Sequence, residues 1–310
     1  MSERYSVAAG VRDGLVLGYH GVTDRSASRQ IVTRSDLRLQ VAELLRRGYA
    51  GTTFSRAVLH SAAQRRLAVT FDDGEHSVIE HGFPVLSALG VPGTVFVVAS
   101  LVGSPGSLSW HDLETLAEAG WEVGSHSVTH PRLTELGDAA LDEELSRSRA
   151  VIEEMLGRPC RSIAYPYGVT DKRVEAAAAR AGFTAGCTTD GTLRTNVLSW
   201  PRVGVDGLDG RLLLRLKTSR LGRGLRGTPL GAPLERTGRV VRAVSTRGLA
   251  TDVRRLFGDE AVADDYPGAE VGRAHDLRLE PCCVETLGEP DLLVDGHLED
   301  RSTTGPQHAV

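Results

Sequence analysis

Through the first two thirds of the chain, short apolar runs rich in β-formers alternate with segments of helical period. The runs fall at 15–19, 67–71, 93–98, 121–125, 162–165 and 183–187. Between them, apolar residues recur at helical spacing. The pattern predicts a helix at 35–47, with Ser35 as N-cap and Gly48 as stop, and others through Val78–Leu89, 111–120, 138–157 and Val174–Ala181. Strands that are almost continuously apolar and separated by helices belong to a parallel sheet covered on both faces. A (β/α) barrel and an open doubly wound sheet both satisfy this pattern. No glycine-rich phosphate loop follows the first run, which argues against the nucleotide-binding form of the open sheet.

After about residue 225 the texture changes. A Gly/Pro-rich stretch at 222–233 reads as a linker. From 211 to 250 there are ten basic residues and one acid, whereas 251–310 holds fourteen acids and five arginines, so the two parts can pair electrostatically. The expected organisation is one folded domain over 1–225 and an extension of unassigned chemistry over 226–310, with a helix near 249–257 and otherwise loose order.

The net charge of −4 argues against nucleic acid as a main partner. No stretch reaches the ~20 apolar residues of a membrane span, and the first 21 residues hold no signal-like apolar segment. Together these predict a cytoplasmic location. Cys160, Cys187, Cys282 and Cys283 show no C-x-x-C spacing and are expected as thiols, with Cys187 packing as a small apolar side chain.

Three strand ends carry the chemistry. "TFDDG" (70–74) places adjacent carboxylates, Asp72 and Asp73, at the end of an apolar run. Alone, this also fits a turn or helix cap. "HSVTH" (126–130) offers His126 and His130, which meet one cation if the chain turns after His126; alone, they also fit a surface loop. Together, two histidines and one carboxylate with open positions make a catalytic rather than structural metal set. Asp73 then serves as ligand and Asp72 as base, the cation relieving their mutual repulsion. "AYPYG" (164–168) forms a rigid aromatic turn whose N–H groups suit an oxyanion. His76 and His81, just beyond the carboxylates, read as helix surface.

In order and spacing, "TFDDG", "HSVTH" and "YPYG" resemble the first three motifs of the polysaccharide deacetylases of the NodB-homology type. "YHGV" (19–22) and "LSW" (108–110) are similar to further family features, and the resemblance covers about residues 14–220. It implies a distorted (β/α) barrel, usually of seven strands, of which six are read above. It also implies that Asp72 is the base acting on water. Asp73, His126 and His130 would hold the metal, and the Tyr167 N–H would bind the oxyanion.

Two departures stand out. Ala164 occupies the place of an arginine that tunes the catalytic residues in many relatives, and Arg202 in "WPRVGV" (200–205) is the candidate to supply that charge. A late L-x-L-H motif is missing, so His20 is the candidate proton donor to the leaving amine, as in a subgroup with permuted motifs; its alternative is a structural histidine. Tyr165, Trp110 and Trp200 are candidate sugar-contacting rings, although tryptophans beside strands are more often core.

The implied activity is metal-dependent removal of N-acetyl groups from an N-acetylhexosamine glycan, releasing acetate. Zn²⁺ suits the ligand set best, and Co²⁺, Ni²⁺ and Fe²⁺ also accept it. The alternatives are an O-acetyl esterase or other amidohydrolase on the same site, and an inactive carbohydrate-binding domain. An acetylated glycan is the expected partner, with a lipid-linked intermediate docked on the basic 211–247 stretch as one form of it.

Overall fold

The computed structural model describes residues 14–25, 30–60, 63–189, 196–207, 209 and 211–219. The boundary expected after residue 225, the extension and its helix near 249–257 lie outside the described residues.

The six expected strands are present as β1 (Leu15–Tyr19), β5 (Arg65–Phe71), β6 (Gly93–Val97), β7 (Glu122–Ser125), β8 (Ser162–Ala164) and β9 (Ala185–Thr188). Three strands outside that expectation are β2 (Gly21–Thr23), β3 (Ile31–Thr33) and β4 (Tyr49–Thr52). Two short pieces, β10 (Trp200–Pro201) and β11 (Val203–Gly204), supply the seventh stave. Every ladder pairing is parallel, in the order β10-β9-β8-β7-β6-β5-β1-β11, with β4 beside the start of β5 and β2–β3 forming a separate ribbon.

The segment 200–204 nearly closes the ring because its halves pair with different neighbours. Trp200 is in register with Cys187 of β9, and Val203 with Leu17 of β1. Between them, the Arg202 N–H donates to the Thr188 carbonyl at 2.9 Å. The result is the expected distorted (β/α) barrel of parallel strands.

Helices α1 (Arg34–Arg46), α2 (Phe54–Leu59), α3 (Phe83–Ala88), α4 (Trp110–Glu118), α5 (Asp138–Leu156), α6 (Lys172–Arg180) and α7 (Arg211–Thr218) accompany the sheet. Their ends are chemically specified. Ser109 and Asp112 form a reciprocal capping box on α4, and Asp171 caps α6 through Val174 N–H. For α1 the N-cap is Thr33 rather than Ser35: its Oγ1 accepts from Asp36 N–H at 3.1 Å. α3 is preceded by a π-helical turn at Val78–Gly82.

Strand parity divides the apolar residues into two layers. Leu15, Leu17, Val69, Phe71, Val95 and Ile163 face the helices in the main core. Val16, Ala68, Phe96, Ala164, Ala185, Cys187 and Trp200 fill the barrel, closed from below by Phe54, Ala57 and Val58 of α2. Each fully buried aliphatic or phenyl side chain contributes about 1.5–3 kcal/mol. Climbing the same inward faces, apolar residues give way to polar ones: Ala68 is followed by Thr70 and Asp72, and Trp200 by Arg202. Arg202 is the largest fully buried side chain among the described residues. A guanidinium in that position requires an anionic partner.

Candidate metal centre and active site

The C-terminal ends of β1, β5, β7 and β8 bring the three motifs together. Asp73 Oδ1 lies 3.4 Å from His126 Nε2 and 3.6 Å from His130 Nε2. The three ligand atoms fall within 4.8 Å of one another. With metal–ligand bonds of about 2.0–2.1 Å, a tetrahedral ion spaces its donors by roughly 3.3–3.4 Å, so these residues fit a divalent ion.

The orientation of His126 adds to that fit. Its Nδ1 lies 2.7 Å from the Ala164 carbonyl, so the ring donates there and leaves the Nε2 lone pair for a cation. Burial holds its pKa below the usual histidine range, only partly countered by Asp72 and Asp73. A neutral imidazole is the ligating form.

Local backbone shape is unusual at all three motifs. Asp73, Ser127, His130 and Tyr167 carry φ values of 67°, 70°, 61° and 61°, a left-handed conformation rare outside glycine. Such strain persists where surrounding bonds over-determine it. At the second motif, the Ser127 hydroxyl accepts from His130 N–H at 2.9 Å, and the Ser125 hydroxyl accepts from Ser127 N–H at 3.0 Å. At the third, Gly168 has φ +70°, and a Cβ there would stand 1.7 Å from Thr189 Oγ1, so only glycine fits.

Asp72 does not share the Asp73 position. It is buried, and its two oxygens accept from Arg202 Nη1 and Nη2, each at 2.6 Å. Arg202 Nη1 also donates to Thr70 Oγ1 at 3.1 Å, and the guanidinium lies 5.7 Å from the Phe96 ring centre. Burial pushes the Asp72 carboxyl up, but Arg202 and the nearby histidines outweigh it and bring the pKa down to about 2. The reciprocal effect raises Arg202, against its own burial. The side chain at 164 is a buried alanine, and the cation at this site comes from the seventh stave instead.

His20 directly follows β1 and is half-buried, close enough to Asp72 and Glu75 to act electrostatically on both. Tyr167 is 52% exposed, its ring 4.7 Å from that of His130 and 4.3 Å beneath the Arg132 guanidinium. Trp110 is half-buried at the first position of α4 and packs on the main core. It follows a loop whose Leu108 N–H donates to the Gly74 carbonyl at 2.8 Å.

Two expected sugar-contacting rings are elsewhere. Tyr165 is fully buried, facing the helices one residue after inward-facing Ala164, and its hydroxyl donates to the Leu198 carbonyl at 2.7 Å. Trp200 is also buried; it shares the inward face with Arg202 but lies two residues deeper in the barrel.

The structure also places groups that motif reading passed over. The Glu75 carboxylate lies over Gly21, where a Cβ would come within 2.1 Å of it, and accepts from Ser77 Oγ at 3.2 Å. Burial raises its pKa, Ser77 opposing and Asp73 adding to the rise. Its place directly after the Asp-Asp-Gly turn was the available signal. Arg132 has no comparable sequence mark.

Among the described residues, no helix is long and apolar enough to cross a membrane. The family described as polysaccharide deacetylase matches residues 60–186. The chain is 24% identical over 180 residues to YxkH of Bacillus subtilis (strain 168), a match covering 56% of this chain and 64% of that protein. It therefore spans less than two thirds of that relative's length. It is 29% identical over 175 residues to the chitooligosaccharide deacetylase of Bradyrhizobium sp. (strain ANU 289), covering 56% and 72% of the two chains. The Streptococcus pyogenes deacetylase PplD, solved with acetate, superposes with a TM-score of 0.61 at 22% identity. That superposition covers 66% of this chain and 97% of PplD, a likeness in fold.

Proposed function

We propose that the chain, which carries a polysaccharide deacetylase domain over residues 60–186, hydrolyses the N-acetyl group of an N-acetylhexosamine glycan to acetate and a free amine. The observation that carries this reading is a division of labour between adjacent carboxylates. Asp73 faces His126 and His130, while Asp72 is held ionised by Arg202. A binding module has no use for a buried base beside a cation site.

Asp73, His126 and His130 would hold the divalent ion, Zn²⁺ being best suited to two imidazoles and a carboxylate. When bound, such an ion lowers the pKa of water and polarises a carbonyl. The remaining work belongs to the chain. Asp72 takes the proton from the water that attacks the acetyl carbon; each of its oxygens keeps a second lone pair beside the Arg202 bonds. The Tyr167 N–H donates to the oxyanion of the tetrahedral intermediate. As the C–N bond breaks, the amine nitrogen must gain a proton, since an amide anion is a very poor leaving group. We assign that donation to His20, the residue that follows β1. The solvent-facing Tyr167 ring, backed by Arg132, offers the sugar an exposed aromatic surface in place of the buried Tyr165 and Trp200.

The test is acetate release from N-acetylglucosamine oligomers and from O-acetylated sugars, using metal-stripped protein with and without added Zn²⁺ or Co²⁺. Metal-dependent release from the amides is expected. Release from the esters alone would transfer the site to ester hydrolysis, and metal binding without release from either would favour the binding module.

A further inference from the structure

The loop that carries His130 is gripped from outside by a single helical side chain. Glu144, in α5, accepts from two successive amides with the same oxygen, Val128 N–H at 2.8 Å and Thr129 N–H at 3.1 Å. Its other oxygen accepts from the Thr129 hydroxyl at 2.6 Å. These are charge-assisted bonds, stronger than neutral ones. The gripped residues lie between Ser127 and His130, both left-handed. A left-handed non-glycine residue is strained and needs surrounding bonds to hold it. The Ser127 hydroxyl closes the turn from within, and Glu144 is the anchor from without.

Its neighbours on α5 do something else. Asp142 pairs with Arg180 and Glu143 approaches Arg147, both at the surface. None of these three bonds reaches His126, His130 or Asp73; they act on the chain between the two histidines.

We infer that Glu144 is a positioning residue for the metal centre: it holds the 128–129 peptide in the shape that aims His130 at Asp73 and His126. The inference rests on the reading of those three residues as metal ligands. Outer partners of metal ligands typically account for 10- to 100-fold in metal affinity.

The test is Co²⁺ affinity of the full chain, by chelator competition and by the visible absorption of the bound ion. Hydrogen exchange at the amides of residues 128 and 129 accompanies it. Glu144→Ala is expected to weaken Co²⁺ binding at least tenfold, alter the absorption band and speed exchange at both amides. Glu144→Gln keeps an oxygen for the amides and is expected to stay within about threefold of wild type, as is Glu143→Ala. A folded Glu144→Ala protein with wild-type Co²⁺ affinity overturns the inference. So does an equal loss in Glu144→Gln or Glu143→Ala, which would assign the effect to charge alone. If Glu144→Ala does not fold, Glu144→Asp, one methylene too short to reach, applies the same test: a fivefold loss supports the role and wild-type affinity removes it. Wild-type protein that binds no Co²⁺ overturns the metal reading itself, a separate result.

Discussion

Asp72 and Arg202, 130 residues apart in sequence, meet through two parallel hydrogen bonds of 2.6 Å inside the barrel. Breaking such a buried pair from one side leaves an uncompensated charge and typically costs 3–5 kcal/mol. Arg202→Met should therefore destabilise the protein by about that much in urea unfolding. Adding Asp72→Leu should recover most of the loss, because the coupling is pairwise. Additive losses would mean that the two charges are stabilised by other partners.

The same pair makes stability depend on acid. A carboxyl whose folded pKa is about 2, against an ordinary 3.8, favours the folded state above pH 3.8 and loses that advantage as pH falls toward 2. In the metal-free protein, unfolding free energy should drop about 2 kcal/mol further between pH 5 and pH 2 in wild type than in Asp72→Asn. Parallel pH profiles for the two proteins would contradict the assignment.

Asp72→Asn also separates binding from turnover. Asp73, His126 and His130 are untouched, so Co²⁺ affinity should stay within a few-fold. Acetate release should fall by about 10²- to 10⁴-fold, the usual contribution of a general base. Undiminished release would exclude Asp72 from proton transfer.

His20→Gln should discriminate by leaving group. N-acetyl hydrolysis needs a proton on nitrogen and should slow by about 10²- to 10⁴-fold, whereas an aryl acetate with a good leaving group should lose less than about tenfold. Equal losses on both substrates would make His20 structural.

Tyr165→Phe removes a buried hydroxyl and leaves the Leu198 carbonyl without that donor. Stability should fall by roughly 1–3 kcal/mol, with KM for the glycan unchanged. A raised KM at constant stability would return Tyr165 to the substrate surface.

What could be read from residues alone follows a physical rule. The six long staves are legible because a strand buried on both faces must be apolar throughout. The seventh is not: 200–204 carries a proline and an arginine, and its halves pair with different neighbours for two residues each. Asp72, Asp73, His126 and His130 announce themselves by chemistry at strand ends. Tyr165 and Trp200 are not legible as buried from the motifs beside them, because a ring there faces helix, barrel or solvent according to parity and depth, and one residue of register reverses the answer. Glu75 and Glu144 are ordinary acids until tertiary structure turns them toward the loops. The cap on α1 is Thr33, two residues before the expected Ser35; both carry hydroxyls, and the fold uses the one whose Oγ1 reaches Asp36 N–H.

The seventh stave has a consequence for the order in which a newly made chain becomes competent. By residue 195 a growing polypeptide has already emitted Asp72, Asp73, His126, His130 and Tyr167. It has not yet emitted the guanidinium that keeps Asp72 ionised in a buried setting, nor the segment that spans from β9 to β1. One segment both bridges β9 to β1 and supplies the partner of Asp72, so the ring cannot close in this way before residues 200–204 are made. A barrel without residues 200–204 would hold Asp73, His126 and His130 but lack the partner of Asp72, so on the proposed reading hydrolysis would be confined to molecules that have completed their fold.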